Sequence, residues 1–460
     1  MEQKEIDGVL ERVRTALETG NVSNAIAALT TLHPADQAEA FADLPADDQV
    51  ELLPQLDSET AAGLLTELED EEAADAAAQL PTAQLADVLD EMEPDEAADL
   101  LGDLPPAQAA DALAQMEERD EVIPLLGHPD DTAGGLMTSE FFALRPHMTT
   151  QSAIDFLRGL NRDTATPYYL YVVDRQGVLI GIVGLRDIIT SRPEALIESI
   201  MNREVISLPV GTDQEEVARV MARYDLLALP VVDGAGRLAG VINYDNIVDV
   251  ISEEATEDLQ KIGGSEALDE PYMLISFWRM VHKRAGWLVV LFLSEMLTAT
   301  AMGFFEQEIK RAVVLALFVP LIISSGGNSG SQAATLVIRA MALGEVRLRD
   351  WWRVMRREVL SGLTLGAILG SIGFARIALW QSAFGTYGPY WPFIAATVAL
   401  SLVGIVLWGT LTGSMLPILL RRVGLDPATS SAPFVATLVD VTGLIIYFSV
   451  ASVVLRGSLL

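Results

Sequence analysis

The first third of the chain repeats an apolar position every twelve residues. Most of these positions are followed by a proline or an acidic residue and then by an alanine-rich amphipathic run such as "PDEAADLLGD". A unit of this length forms only about two turns of helix and cannot bury an apolar face alone, so neighbouring units must stack. The pattern predicts a superhelical α-helical domain over residues 1–132. The repeated positions are Leu32, Leu44, Leu56, Leu68, Leu80, Met92, Leu104 and Met116.

Residues 137–252 contain two copies of a different pattern, rich in β-branched residues. The copies read "YYLYVVDRQGVLIGIVGLRDII" and "LLALPVVDGAGRLAGVINYDNIV", and equivalent residues such as Gly181 and Gly240 are 59 positions apart. Each copy predicts a strand, a tight turn, a second strand and then a helix that starts near Asp187 or Asp245. We therefore expect a duplicated βαββα unit, with α/β copies over residues 133–199 and 200–252.

From residue 285 onward the chain is apolar enough to lie in lipid, which predicts an all-α membrane domain over 285–460. Five apolar segments follow one another, and each has the roughly 20 residues that a helix needs to cross the hydrocarbon core. Basic residues cluster before the first segment and in the second and fourth connections, so we expect cytoplasmic N-terminal domains and an external C-terminus. The predicted spans are 285–305, 313–343, 359–384, 393–420 and 432–454.

Charge and composition add chemistry to this outline. The formal net charge is −34, and residues 1–131 account for −30 of it with 34 acidic and four basic residues. We expect these carboxylates on the outer faces of the helical domain, where divalent cations would relieve their repulsion. The sequence has no cysteine, so oxygen ligands are expected for any bound cation. We expect no nucleic-acid partner.

A polar, glycine-rich stretch interrupts the second predicted span. Residues 322–336 read "IISSGGNSGSQAATL", and such a stretch is tolerated in a membrane where it is buried among helices or lines water. Helix packing alone explains the glycines and serines. However, Asp440 lies near the middle of the fifth span, where an unpaired carboxylate costs several kcal/mol in lipid. A water-filled, cation-attracting pathway lined by Asn328 and Asp440 accounts for both features.

The duplicated α/β unit resembles a tandem cystathionine-β-synthase (CBS) pair. Such pairs bind adenine nucleotides, ATP among them, in the cleft between the copies. The "GLRD" of residues 184–187 resembles the element that meets ribose and phosphate, so the resemblance implies Arg186 and Asp187 as nucleotide ligands and Tyr169 as a contact for the base. The alternative is that the pair binds no nucleotide and only dimerises.

The order of these parts resembles the MgtE family of magnesium channels over essentially the whole chain. The specific motifs are "GGNSGSQ" in the second span and "ATLVDVTG" in the fifth. The resemblance implies a homodimer in a bacterial inner membrane, with the pore between the second and fifth spans of both subunits and the Asp440 pair holding hydrated Mg²⁺. It implies Mg²⁺ influx that intracellular Mg²⁺ closes, and no enzymatic activity.

The same resemblance implies a connecting plug helix over residues 253–284 and intracellular Mg²⁺ sites. Asn246 stands where a further acidic residue is expected, which weakens one ligand. The ligands implied by local motif are Asp95, Asp99, Asp213, Glu215, Asp225, Asp245, Asp249, Glu254, Glu257 and Asp258.

Three charges in or near the spans keep two interpretations each. Glu295 and Arg376 either pair within the bundle or reach an interface by snorkelling. Asp426 is either an N-terminal helix signal or a metal ligand at the cytoplasmic pore mouth, and we favour the mouth. A competing function is a membrane-anchored nucleotide sensor that signals to a partner, but five spans with an internal Asp exceed what an anchor needs.

Overall fold

The computed structural model describes residues 3–159, 169–268, 272 and 275–456. The chain forms two compact units, Met1–Glu253 and Glu254–Leu460, which we describe separately.

The first unit begins with a stack of short helices, as the twelve-residue repeat predicts. Each repeated apolar residue from Leu32 to Leu104 directly precedes the N-cap residue of the next helix. Helices pack on their next-but-one neighbours, so that α3, α5, α7 and α9 form one row. The helices are α1 Gln3–Glu18, α2 Val22–Leu29, α3 Pro34–Ala42, α4 Ala46–Leu52, α5 Ser58–Thr66, α6 Asp70–Ala77, α7 Thr82–Leu89, α8 Pro94–Asp103, α9 Pro106–Leu113 and α10 Arg119–Val122.

One acidic residue of this stack departs from the expected outward placement. Asp95, in the first turn of α8, is 3% exposed, although most other carboxylates of the repeat face solvent as predicted. The reason lies in tertiary packing, because α8 lies against α6, α9 and α10 and its first turn also reaches the following domain through Asn246.

The duplicated α/β unit has the predicted pseudo-symmetry. Each copy forms a three-stranded sheet in which the first strand is parallel and the third antiparallel to the second. The two tight turns meet, because Leu179 N donates to Gly236 O at 3.1 Å and Leu238 N donates to Gly177 O at 3.1 Å. The elements are β1 Ala143–Leu144, α11 Thr150–Arg158, β2 Tyr169–Val173, β3 Leu179–Gly184, α12 Leu185–Thr190, α13 Ile197–Ile200, β4 Leu208–Pro209, α14 Gln214–Tyr224, β5 Ala228–Val232, β6 Leu238–Asn243 and α15 Tyr244–Ile262.

The segment expected to be a plug helix over residues 253–284 is divided in the structure. Its first part continues α15 to Ile262, and the next long helix begins at Phe277. The first membrane helix therefore includes the basic residues that precede the predicted span. Gly264, with φ +80°, follows the end of α15 and supplies the backbone conformation that turns the chain away from the helix.

Within the described residues, five helices are long and apolar enough to cross a membrane, as predicted. The fifth has the predicted bounds and the second ends one residue before its predicted end, whereas the first and third begin eight and eleven residues early and the fourth extends two residues at each end. A one-turn 3₁₀ segment precedes the fifth at Pro427–Thr429. The spans are Phe277–Phe304, Val313–Ala342, Leu348–Phe384, Trp391–Arg422 and Ala432–Val454. Their α-helices are α16 Phe277–Phe304, α17 Glu306–Arg311 in the first connection, α18 Val319–Ala342, α19 Trp351–Phe384, α20 Trp391–Arg422 and α21 Ala432–Val454.

Glycines bring the central membrane helices into close contact. Gly326 and Gly330 of α18 lie against Gly409 and Gly413 of α20, and a methyl group at either α20 glycine would collide with a carbonyl oxygen of α18. A methyl group at Gly366 of α19 would lie 2.7 Å from the Cα of α20 residue 403. Small residues spaced by four therefore let three helices approach backbone to backbone.

Candidate cation pathway and acidic sites

Helix α18 has two contrasting faces. Its buried face consists of small residues such as Gly326, Gly330 and Ala334, which pack inside the bundle. The opposite face carries an exposed polar stripe at helical spacing, formed by Ser324, Asn328, Gln332 and Thr335. Asn328 Nδ2 reaches Ser324 Oγ at 3.4 Å along this stripe. The stripe gives the glycine-rich motif two roles, since its glycines pack and its polar residues remain accessible.

Asp440 of α21 lies beside this stripe. A methyl group built at Gly327 would be 3.5 Å from Asp440 Oδ1 and 3.4 Å from the Cβ of Ala436. The missing side chain at Gly327 therefore leaves room for the carboxylate against α18, next to Asn328 in sequence. Asp440 is half-buried. The structure thus brings the two membrane residues singled out by sequence onto adjoining helices.

Hydrogen bonds hold α21 in register with its neighbours. Ser331 Oγ donates to Ala432 O at 3.0 Å, and Trp408 Nε1 donates to Thr442 Oγ1 at 2.8 Å. Near the other end of α21, the buried Tyr447 hydroxyl donates to Leu315 O at 2.9 Å. These bonds lie on both sides of Asp440 along the helix and fix the height of its carboxylate.

Asp426 and Glu257 are joined by a lysine that the sequence interpretation did not include. Lys261 Nζ contacts Asp426 Oδ2 at 2.9 Å and also pairs with Glu257 Oε1. Burial alone would lower the pKa of Lys261, but its hydrogen bonds and ion pairs with these two carboxylates raise the pKa above its ordinary value. Asp426 also caps the 3₁₀ turn, since its Oδ1 accepts from Ala428 N at 2.8 Å. Asp426 thus caps this short turn, whereas α21 itself is capped by Ser431, and the role of Asp426 at a pore mouth stays a prediction.

Asp95 occupies a buried acidic position between the helical stack and the second CBS copy. Asn246 Nδ2 donates to its Oδ2 at 2.8 Å, whereas its Oδ1 is buried and has no hydrogen-bond partner among the described residues. Burial raises the pKa of Asp95, and the charge of Asp245 raises it further. The neighbouring Glu93 is partly exposed, but desolvation together with the charges of Asp95, Asp245 and Glu140 raises its pKa to about 7. The structure thus brings together Asp95 and Asp245, two of the ligands implied by resemblance.

A second acidic group surrounds the outer part of α8. Burial and the neighbouring carboxylates raise the pKa of Glu96 to about 8, with Asp95 and Asp99 as the strongest charges. Desolvation by the packed helices raises the pKa of Asp99 to about 7, although part of its side chain stays exposed, and the charges of Asp130, Asp95 and Asp70 add to the rise. Sequence reasoning found Asp99 but missed Glu96, Asp70 and Asp130. Asp70 and Asp130 are distant from Asp99 along the chain and gave no local signal, whereas Glu96 was overlooked although it lies between Asp95 and Asp99.

The remaining acidic candidates lie on α14, at its two caps, or on α15. Asp213 caps α14 by accepting from Glu215 N at 3.0 Å, and Asp225 ends the same helix with φ 51°. Asp249 is exposed on α15, one turn after Asp245. Glu254 and Asp258 are half-buried further along α15. In the described part of the chain, no three His, Asp or Glu side chains are arranged closely enough to hold a metal.

The candidate nucleotide contacts of the first CBS copy come together at one sheet edge. Tyr169 begins β2 and pairs with Gly184 at the end of β3. Arg186 and Asp187 follow in the first turn of α12, and both are exposed. Asp187 Oδ2 lies 3.2 Å from the position that a methyl group would take at Gly184. Arg186 and Asp187 therefore directly follow the strand end that pairs with Tyr169.

Arg376 reaches along its own helix rather than toward an acid. Its guanidinium carbon lies 4.2 Å from the ring centre of Trp380, one turn toward the end of α19. Both side chains are exposed. A cation stacked on a tryptophan near a helix end is typical of snorkelling to a membrane interface, so the structure favours that interpretation.

An acidic helical domain, a CBS pair and a five-helix membrane domain with a polar stripe beside an internal carboxylate define a multi-pass cation transporter. Sequence profiles agree. The profile for divalent cation transporters of the MgtE type matches residues 319–450, that for the MgtE intracellular N domain matches 32–131, and the CBS profile matches 133–194 and 197–253. The chain belongs to the MgtE family of divalent cation transporters.

Three named relatives match over most of the chain. The magnesium transporter MgtE of Thermus thermophilus is 44% identical over 342 residues, which cover 74% of this chain and 73% of that protein. The proteins of the same name from Enterococcus faecalis and Bacillus subtilis are 35% and 32% identical over 74% and 71% of this chain, and over 73% and 70% of their own lengths. The cytosolic domain of the Mg²⁺ channel MgtE, crystallised with ATP, is 37% identical with a TM-score of 0.49 and covers 52% of this chain and 99% of its own.

Proposed function

We propose that this protein is a homodimeric channel or transporter for Mg²⁺ influx across a bacterial inner membrane. The observation that carries the proposal is the placement of the Asp440 carboxylate against Gly327, beside the exposed polar stripe of α18. An apolar bundle gains nothing from a half-buried carboxylate next to accessible amide and hydroxyl groups unless that face meets water. Similarity to three magnesium transporters supports Mg²⁺ as the ion.

The chemistry of the site suits a hydrated ion. Mg²⁺ sheds water reluctantly and is usually held by one or two carboxylates through retained waters. In a homodimer each subunit contributes one Asp440, so two carboxylates meet the ion. The amides and hydroxyls of the α18 stripe, with Asn328 nearest in sequence to Gly327, then contact the retained waters. In this arrangement the selectivity arises from charge and from the space for the water shell.

Intracellular Mg²⁺ is the proposed regulator, with the α8 carboxylates as its sites. The unpartnered, buried Oδ1 of Asp95 fits a cation ligand, because a buried oxygen without a hydrogen-bond donor is costly unless a cation or proton meets it. Asp95 with Asp245 and Asp99 with Asp130 would supply oxygen ligands. Bound Mg²⁺ would relieve the repulsion within these groups and would stabilise the arrangement that binds more ions. In this proposal the closed pore is the arrangement that binds more Mg²⁺, so rising intracellular Mg²⁺ favours closure.

The CBS pair supports a second regulatory ligand. Tyr169 lies opposite Gly184, and Arg186 and Asp187 lie one turn away, which supplies a ring, a cation and a carboxylate for an adenine nucleotide such as ATP. The proposed orientation has the helical and CBS domains in the cytoplasm and the C-terminus outside. Basic residues, which favour the cytoplasmic side, precede the first span and lie in the second and fourth connections. The protein is not proposed to be an enzyme.

The pathway assignment is tested by removing the charge of Asp440. We expect the purified full-length protein with Asp440→Asn, reconstituted in liposomes with a Mg²⁺-sensitive dye inside, to lose nearly all Mg²⁺ uptake while remaining a folded dimer. Glu345→Gln makes the same chemical change at an exposed site outside the membrane helices and should leave uptake unchanged. Uptake at the wild-type rate through well-folded Asp440→Asn protein would show that Asp440 is not in the pathway.

A further inference from the structure

Glu295 is a second isolated charge in the membrane domain. It is the only charged residue of α16 after Arg284, it is exposed, and it forms no hydrogen bond or ion pair with any described residue. Arg376, the cation considered as its partner from sequence, stacks on Trp380 instead. An unpaired carboxylate that faces lipid near the middle of a span is costly, so its exposed side needs water or a cation.

The packing of α16 on α21 places Glu295 level with Asp440. The two helices run in the same direction, because the start of α16 contacts the start of α21 and the end contacts the end. Trp287 Nε1 donates to Ser431 Oγ at 3.1 Å, and the rings of Phe305 and Phe448 stack at 4.9 Å.

The Trp287–Ser431 and Phe305–Phe448 contacts fix the register between α16 and α21. Glu295 lies eight residues after Trp287, and Asp440 lies nine residues after Ser431. At 1.5 Å per residue the two carboxylates advance by about 12 and about 14 Å from the same contact, so they reach nearly the same height.

Two carboxylates at one level of an apolar bundle repel each other, and a divalent cation offsets that repulsion. We propose that Glu295 is a second carboxylate of the cation pathway, which concentrates hydrated divalent cations beside Asp440. The inference rests on the proposed pathway at Asp440, and it adds α16 to the helices that line it. Its role is electrostatic attraction at the site, whereas Asp440 makes the essential contact with the hydrated ion.

Accessibility of position 295 tests the geometry directly. The chain has no cysteine, so Glu295→Cys introduces the only thiol of the full-length protein in liposomes. We expect it to react with a positively charged, water-soluble methanethiosulfonate reagent and to be protected by Mg²⁺. Leu293→Cys is the matched control, because Leu293 is 57% exposed and lies about 200° around the same helix. Failure of Glu295→Cys to react, or equal reaction at both positions, would overturn the inference.

A flux measurement tests the electrostatic role and separates it from the proposed function. Glu295→Gln should raise the Mg²⁺ concentration for half-maximal uptake by roughly threefold to tenfold, as expected for loss of one charge about 10 Å from a divalent ion. Glu295→Asp should restore most of the difference, and maximal uptake should be largely retained. If Asp440→Asn abolishes uptake and Glu295→Gln leaves its concentration dependence unchanged, only the inference about Glu295 fails. If Asp440→Asn retains uptake, the proposed pathway itself fails.

Discussion

Because the carboxylates of α8 lie close together, we expect the first unit, residues 1–253, to become less stable as pH rises. Glu96 has an ordinary pKa of 4.5, and burial with the nearby charges of Asp95 and Asp99 raises its pKa in the folded state to about 8. Between these two values the folded state binds more protons than the unfolded state, so the free energy of unfolding falls with increasing pH. The contribution of Glu96 is complete below pH 4.5 and is lost as pH rises through about 8.

The size of the effect follows from the same shift. A rise from 4.5 to about 8 corresponds to at most about 5 kcal/mol, at 1.36 kcal/mol for each pH unit. Asp99 and Glu93 compete for the same protons, so removal of one charge relieves only part of the repulsion. We therefore expect Glu96→Gln to stabilise the metal-free unit by roughly 1–2 kcal/mol at pH 8 and by much less at pH 5.

Urea unfolding of residues 1–253, followed by far-ultraviolet circular dichroism with a chelator present, measures this difference. Glu91→Gln serves as the control, since Glu91 is an exposed acid just before α8. Added Mg²⁺ should stabilise the wild-type unit at pH 8 and have little effect at pH 5, where protons occupy the ligands. Equal effects of Glu96→Gln at both pH values, or destabilisation at pH 8, would contradict the proposed crowding of carboxylates.

Two further predictions concern the second unit. Gly413→Ala should lower the thermal stability of the detergent-solubilised protein by the equivalent of about 1–3 kcal/mol, because a methyl group there collides with Gly330 O. The control Gly303→Ala places its methyl group in open space and should not lower the stability. Equal stability of the two variants would contradict the close packing of α18 and α20. Lys261→Met should shift inhibition of Mg²⁺ uptake by internal Mg²⁺ to lower Mg²⁺ concentrations, because it removes the ammonium that competes with Mg²⁺ for Asp426 and Glu257. An unchanged inhibition curve in liposomes loaded with graded Mg²⁺ would exclude a Mg²⁺ site at these two carboxylates.

Sequence predicted the parts of the fold that depend on local periodicity. The twelve-residue repeat predicted the helical stack, because each repeated apolar residue stands just before a helix and marks its start. The copies 59 residues apart predicted two similar sheets, and the apolar runs predicted five spans. In each case the pattern itself is the physical cause of the element, so nothing distant in the chain was needed.

The candidate sites were only partly predictable because they depend on contacts between distant residues. Asp440 stood out since a carboxylate in an apolar span is costly wherever it points. In contrast, Asp70 and Asp130 look like ordinary solvated acids in the sequence, and only the fold brings their charges to Asp99. Lys261 was missed for the same reason, because its partner Asp426 is 165 residues away.

Asn246 shows how a residue can change meaning once its contacts are known. Considered as sequence, it is a missing carboxylate and therefore a weaker ligand. In the structure its amide donates to Asp95 Oδ2 at 2.8 Å, and this hydrogen bond lowers the pKa of Asp95 against the larger rise caused by burial. A carboxylate at position 246 would instead add a repulsive charge to a group that already includes Asp245. Asn246 therefore lowers the attraction for a cation by one charge, but it also lets Asp95 stay ionised at a smaller cost before any cation binds. The affinity of this site depends on the difference between these two effects, which residue type alone does not reveal.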